Sequence, residues 1–222
     1  MTDTTRMIEQ LSARATPVRR MSSPLRRTLL WLAAALLVTA VLVLTNAGGA
    51  GFARVLASPD ATREWLASLL TGVLASYAVF QVSVPGRDPR WAWLPLPAAL
   101  LWLASIGVGC MHEVAREGLT ALVFRAGPME CLRAISMTSI PLGLVLLLMV
   151  RHAGVVRPRP TALLAMLSAA ALSASAVSLI HHAGESSLMV LVWHVGAVAV
   201  LSLASLLCAR PMFAWIGYSR HA

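Results

Sequence analysis

Six long segments without a charged residue divide the chain, and they constrain its fold more than any other feature. They cover residues 28–53, 65–86, 91–111, 134–150, 160–180 and 186–209. A helix needs about 20 apolar residues to cross the hydrocarbon of a bilayer. Only the fourth segment, with 17 residues, is shorter than that. The pattern therefore predicts an all-α membrane protein, a bundle of six transmembrane helices.

The composition excludes several classes of protein. Charged residues make up only 12% of the chain, whereas soluble domains carry about 25%, so a soluble globular enzyme is excluded. The sequence has no glycine-rich phosphate loop, no GxSxG and no HExxH motif. The six segments also contain no acidic residue, which argues against a proton-coupled transporter. We therefore expect neither enzymatic activity nor a cofactor.

The 18 basic residues, all arginine, are distributed unevenly about the six segments. With six spans both termini lie on one side, which holds 13 arginines, while the other side holds five. The positive-inside rule places the side with 13 in the cytoplasm. This predicts a cytoplasmic segment at 1–27, a transmembrane domain at 28–209 and a cytoplasmic tail at 210–222. Because the arginines form no single stripe, contact with the lipid bilayer explains them better than direct nucleic-acid binding.

The N-terminal segment contains one apolar stripe. Met7, Ile8 and Leu11 follow the i, i+1, i+4 spacing of a short amphipathic helix. Asp3 or the threonine after it would cap this helix, and Pro17 would stop it. The stripe could dock into a partner's groove, lie on lipid or fold back onto the bundle. An ordinary basic membrane flank is the fourth interpretation, and the residues alone leave all four open.

A second group of candidate residues combines thiols and imidazoles on the side opposite the termini. It consists of Cys110, His112, Cys131, His181, His182 and His194, the last of these within the sixth segment. Such side chains bind soft or borderline metals, and an oxidising compartment would also permit a disulfide between Cys110 and Cys131. Simple packing is the third interpretation, and whether a metal binds stays open. We expect Cys131 to be reactive, because it would be water-exposed near Arg133, whereas Cys208 belongs to the other side.

Two helix-packing features are also present. Pro141 lies in the middle of the fourth segment and predicts a kink. The fifth segment carries small residues at helical spacing, which predicts a close-packing face. These residues are Ala169, Ala170, Ser173, Ala174 and Ser178.

Several short stretches, taken in order, are similar to one family. They are residues 7–11 (MIEQL), 16–20 (TPVRR), 83–87 (SVPGR), 91–97 (WAWLPLP), 127–132 (GPMECL) and 192–196 (VWHVG). Over nearly its full length the chain resembles the NrsF family, negative regulators of sigma F. The resemblance implies an anti-sigma factor of the bacterial inner membrane that holds an extracytoplasmic-function sigma factor and releases it on an envelope, oxidative or metal stress signal.

The resemblance also implies roles for particular residues. The cytoplasmic start of the family implies a sigma-factor contact through Met7, Ile8, Leu11, Pro17, Arg19 and Arg20. Cys131 matches a family cysteine that is linked to stress sensing. A second family cysteine commonly falls where this chain has His181 and His182, so Cys110 or a Cys/His metal site would have to replace it.

Two other functions remain open at this stage. One is a small membrane transporter or channel. The other is a membrane redox or metal protein that uses the Cys/His group. The signal, the particular sigma factor and the oligomeric state do not follow from the sequence.

Overall fold

The computed structural model describes residues 3–13, 22–46, 50–118, 130–151, 155–180 and 187–215, and all regular structure in these ranges is helical. The α-helices are α1 (Asp3–Ala13), α2 (Pro24–Asn46), α3 (Ala50–Ala57), α4 (Pro59–Val82), α5 (Leu96–Glu117), α6 (Glu130–Val150), α7 (Pro158–Ile180), α8 (Ser187–Met189) and α9 (Gly196–Trp215). A short 3₁₀ helix (Pro89–Trp93) precedes α5, and a π-helical turn (Val190–Val195) joins α8 to α9. The predicted all-α class is confirmed for these residues.

Six helical segments in the described ranges are long and apolar enough to cross a membrane, which confirms the predicted number. These spans are Pro24–Asn46, Pro59–Val82, Pro89–Glu117, Cys131–Val150, Pro158–Ile180 and Ser187–Ala214. The fourth span has 20 residues rather than the predicted 17, because its helix begins before Arg133. It is therefore long enough to cross the hydrocarbon without its flanks.

The second and third spans also extend beyond the uncharged segments. Ser58 caps α4 by accepting a hydrogen bond from the amide of Ala61, and Pro59 suits the first helical position. The α4 helix therefore begins before Glu64, and α5 continues past Glu113 to its end at Glu117. The expectation that the spans contain no acidic residue is wrong, because charged residues at helix ends had been taken as span boundaries.

The fifth span, α7, is the central helix of the bundle. It packs against α4, α6 and α9, and its small residues are almost completely buried. The predicted close-packing face is confirmed, since Ala169, Ala170, Ser173 and Ala174 are all inaccessible to solvent. Small side chains let helix backbones approach closely.

The spans alternate in direction, so that the bundle has two distinct ends. We call the end at which the first span begins and the sixth ends the terminal end, and the opposite one the far end. At the terminal end Arg157, just before the fifth span, donates a hydrogen bond of 3.1 Å to the carbonyl of Arg87. Arg87 lies in the loop between the second and third spans. At the far end Arg54 donates one of 3.5 Å to the carbonyl of Leu179. This alternation matches six consecutive crossings.

The first span is attached to the bundle through its beginning only. Its buried residues, all in its first half, are Arg27, Thr28, Trp31 and Ala35. Trp31 belongs to an apolar cluster of the terminal half that also contains Phe80, Leu146 and Phe213. Beyond Ala35, most large side chains of α2 are exposed, as expected for a surface that faces lipid. The buried side chains of the first span therefore all lie toward the terminal end.

Candidate functional site

The apolar stripe of the N-terminal segment lies uncovered on α1. Met7, Ile8 and Leu11 expose 64%, 61% and 64% of their surface, and α1 has no buried residue. The helix predicted for this segment is confirmed, and Asp3 in its first turn suits the positive end of the helix dipole. We call these three side chains the α1 apolar face. The other predicted contact residues, Pro17, Arg19 and Arg20, lie outside the described residues.

The two predicted sensing cysteines differ in their surroundings. Cys131 is only 6% exposed and packs in an apolar cluster with Trp102, Ile135 and Val177. The expectation of a water-exposed thiol is therefore wrong for Cys131, because the first turn of α6 is packed between neighbouring helices rather than open to water. Cys110 on α5 is half-buried, and no disulfide joins the two cysteines. His181 and His182 lie outside the described residues.

His194 lies in the π-helical turn of the sixth span and is 2% exposed. Its Nδ1 atom is 3.4 Å from the hydroxyl oxygen of Ser178 on α7. This contact connects the sixth span with α7. Single π-helical turns inside α-helices occur frequently at functional sites, and this one places the imidazole at the edge of a cavity.

A polar cavity of about 340 Å³ opens at the far end of the bundle, and the sequence analysis did not predict it. Ionisable side chains from four helical elements line it. They are Arg54 (α3), Asp60 and Glu64 (α4), His112, Glu113 and Arg116 (α5), and His194 in the π-helical turn. Serines and one tryptophan complete much of the wall, including Ser178, Ser187 and Trp65. A concave site with converging ionisable groups is the usual form of a ligand or sensing site.

Two interhelical contacts hold the wall of this cavity together. The Nδ1 atom of His112 is 3.1 Å from a carboxylate oxygen of Asp60, so the second and third spans are joined. Ser187 donates from its backbone amide to both oxygens of Glu113, at 2.8 and 3.0 Å, and from its hydroxyl at 2.9 Å. The Glu113 carboxylate thereby caps the first turn of the sixth span, where the helix dipole favours negative charge.

The close approach of these helices depends on Gly109. A Cβ atom at this position would lie 2.5 Å from the hydroxyl oxygen of Ser187 and 3.1 Å from a carboxylate oxygen of Glu64. No side chain therefore fits at position 109 without moving the start of the sixth span. Within the described residues Glu64 makes no hydrogen bond or ion pair, so its half-buried carboxylate faces the cavity without a direct partner.

The described residues of the cavity do not form a metal centre. In the part of the chain that the structure describes, no three His, Cys, Asp or Glu side chains are grouped so that they could hold a metal ion. Cys110 and Cys131 are also absent from the lining of the cavity. The predicted group of thiols and imidazoles is thus divided, with Cys131 in an apolar cluster and His112 and His194 at the cavity.

Residue spacing shows which ionisable residues share a helix face at the far end, but not that these helices meet. Asp60 and Glu64 are four residues apart, as are His112 and Arg116, so each pair lies on one face of its helix. Sequence reasoning gave no role to Asp60, Glu64 or Arg116, and it considered His112 only as a member of the group of thiols and imidazoles.

The terminal end carries a surplus of exposed positive charge. Its exposed arginines include Arg26, Arg87, Arg90, Arg159 and Arg210. They come from the start of the first span, the loop before the third, the start of the fifth and the end of the sixth. These five are among the arginines that the sequence analysis assigned to one side of the membrane.

Comparison with known proteins gives one match, to a protein family. The model of the family described as NrsF, negative regulator of sigma F, matches residues 11–215 of the 222-residue chain. Leu11 lies at the edge of the matched region, whereas Met7 and Ile8 precede it. No curated protein and no solved structure matches the chain. The matched region contains all six spans, the residues that line the far-end cavity, and Cys131. The chain therefore belongs to the NrsF family of negative regulators of sigma F.

Proposed function

We propose that this protein is a membrane-bound anti-sigma factor of the bacterial inner membrane. It binds an extracytoplasmic-function sigma factor at the terminal end of the bundle, which faces the cytoplasm. While bound, the sigma factor is withheld from RNA polymerase. An envelope, oxidative or metal stress signal at the far end releases it. In this function the protein acts by binding and not by catalysis.

The observation that carries the proposal is the α1 apolar face in a family of sigma-factor regulators. Met7, Ile8 and Leu11 are each more than three-fifths exposed. A helix of 11 residues is marginal in water by itself, because most helical stability comes from packing an amphipathic face. A partner that covers this face would stabilise the helix and bury the three side chains. A sigma factor is the partner that the family description implies.

The charge of the terminal end supports the same orientation. Lys and Arg are enriched in the cytoplasmic parts of membrane proteins, and five exposed arginines lie at this end. They would also attract an acidic surface of the partner and accelerate its encounter. The α1 helix and the basic surface would then act together, one through apolar contact and the other through charge.

The packing of the interior favours a regulator over a transporter. A transport path would need polar groups that continue from the far-end cavity to the other side. In the described residues, large apolar side chains of the terminal half, among them Trp31, Phe80 and Leu146, instead pack in one cluster. Release by a distant signal requires two states of the bundle that differ in affinity for the partner. The cavity and the Cys131 cluster are where such a signal would act.

The test is to remove the α1 apolar face and measure partner binding. Complete burial of a large apolar side chain is worth about 1.5–3 kcal/mol. Because a little over three-fifths of Ile8 and of Leu11 is exposed, covering each of them contributes roughly 1–2 kcal/mol to the free energy of binding. We expect the double variant Ile8→Asp, Leu11→Asp to bind the sigma factor roughly 30- to 700-fold more weakly. Binding is measured with purified protein in lipid nanodiscs, and repression with a sigma-dependent reporter.

The matched control adds the same two charges to exposed positions of α1 outside the stripe. Gln10→Asp with Ala13→Asp places two carboxylates on exposed positions away from the stripe. This control should bind the partner nearly as well as the native protein. The proposal is wrong if both double variants bind equally well at normal membrane levels, or if no sigma factor copurifies with the native chain.

A further inference from the structure

Two adjacent arginines at the start of the first span have opposite surroundings. Arg26 is exposed, as expected for a basic residue beside lipid headgroups. Arg27 is only 8% exposed and lies among helices of the bundle. The positive-inside rule accounts for the charge of both residues but not for the burial of one of them.

The contacts of Arg27 join three spans. Its guanidinium donates a hydrogen bond to the carbonyl of Met149 in the last turn of α6. It also lies over the ring of Phe80 on α4, with 4.8 Å between the guanidinium carbon and the ring centroid. The last carbonyls of a helix lack partners within the helix and carry partial negative charge, so a cation is favourable there. The aromatic face attracts the same cation, more strongly where water is excluded.

These contacts lie where the N-terminal segment joins the bundle. Ser23 accepts a hydrogen bond from the amide of Arg26, and Pro24 begins the first span. Past Ala35 the first span has no buried residue. Arg27 and Trp31 are thus the two large side chains that fix the start of this span.

We propose that Arg27 is a positioning residue for partner binding. By tying the start of the first span to the end of α6, it fixes where the segment that carries α1 leaves the membrane. The α1 apolar face and the basic surface of the terminal end can then contact one partner at the same time. The expected effect on partner binding rests on the proposed function, but the position of the first span can be measured without any partner.

The first measurement is the distance between the start of the first span and the loop after α6. Spin labels are introduced as non-canonical amino acids at the exposed positions Ser22 and Val156, so that the native cysteines stay in place. The native protein in nanodiscs should give a narrow distance distribution. Arg27→Met keeps an unbranched, flexible side chain but removes the hydrogen-bond donors and the charge, and should broaden this distribution. Arg26→Met, the matched control, should leave it narrow.

The second measurement is the affinity of the same variants for the sigma factor. If loss of the contact leaves the segment correctly placed about a tenth of the time, Arg27→Met should bind about tenfold more weakly. Arg27→Lys keeps the charge but not the flat guanidinium, so it should recover part of the affinity and part of the narrow distribution. Arg26→Met should bind like the native protein.

The outcomes separate this proposal from the proposed function. An equally narrow distribution for Arg27→Met, or equal broadening for Arg26→Met, overturns the positioning role even if the sigma factor binds. A broad distribution with unchanged affinity overturns it as well, because the position would then not matter for binding. If Arg27→Met does not accumulate in the membrane, Arg27→Lys is compared with the native protein instead. A distance distribution and an affinity equal to those of the native protein would then contradict the proposal that the planar guanidinium positions the span.

Discussion

Gly72 on α4 lies so close to α7 that a single methyl group has no room there. A Cβ atom at position 72 would be 2.6 Å from Cγ and 2.8 Å from Cδ2 of Leu172, and 3.2 Å from its backbone nitrogen. In the same place the hydroxyl of Ser168 donates a hydrogen bond of 2.6 Å to the carbonyl of Gly72. The Leu172 side chain can rotate away, but its backbone cannot. The substitution Gly72→Ala must therefore separate the two helices.

The size of the effect follows from two opposing contributions. Overpacking a well-packed core costs about 1–3 kcal/mol, whereas alanine is favoured over glycine within a helix by about 1 kcal/mol. Gly107 on α5 isolates the second contribution, since a Cβ atom there would meet nothing within 4 Å. We therefore expect Gly72→Ala to be less stable than Gly107→Ala by about 1–3 kcal/mol in free energy of unfolding.

The assay is thermal unfolding of the two purified variants in the same detergent or nanodisc. For a soluble chain of this size each kcal/mol corresponds to roughly 2–4 °C in Tm, so the two variants should differ by several degrees. Membrane levels of Gly72→Ala should fall in parallel. Equal or higher stability of Gly72→Ala would show that α4 and α7 do not approach as closely as described, and that α7 is not the tight centre of the bundle.

Two further predictions concern orientation and sensing. Reporter fusions at Gly118 and Arg157 should report opposite sides of the membrane, with Arg157 in the cytoplasm, and the same side for both would refute the six crossings. Cys131→Ser should reduce release of the sigma factor by an oxidant or a thiophilic metal, whereas Cys208→Ser should not, although Cys208 is the more exposed thiol. An unchanged response of Cys131→Ser at normal membrane level would leave Cys131 with a packing role only.

Features that depend on one segment at a time were predictable from the sequence. Apolar length gave the number of spans, and small residues at helical spacing in α7 identified the buried face that contains Ala170 and Ala174. The α1 helix followed from the spacing of Ile8 and Leu11 in the same way. Each of these signals is local, so it does not require knowing which helices are neighbours.

The far-end cavity was not predictable by this route, because its residues come from different helices. Glu113 caps a helix that begins at Ser187, 74 residues later in the chain. No local pattern indicates that these two ends meet. Burial of Arg27 beside the exposed Arg26 has the same cause, since it depends on which face of α2 meets α4 and α6. The buried position of Cys131 likewise depends on Trp102 and Val177, which belong to other helices.

The packing of the bundle determines where a change of state costs least. The α4–α7 contact is tight at Gly72 and held by Ser168, so sliding these helices would force side chains into occupied space. The first span is buried only near its start, and α6 contains a lipid-exposed proline in its interior. Pro141 removes a backbone hydrogen bond, which makes bending of α6 less costly than bending of α4 or α7. The same helix begins beside the buried Cys131 and ends at the carbonyl that Arg27 binds, so a bend would reach the base of the partner-binding segment without disturbing the α4–α7 core.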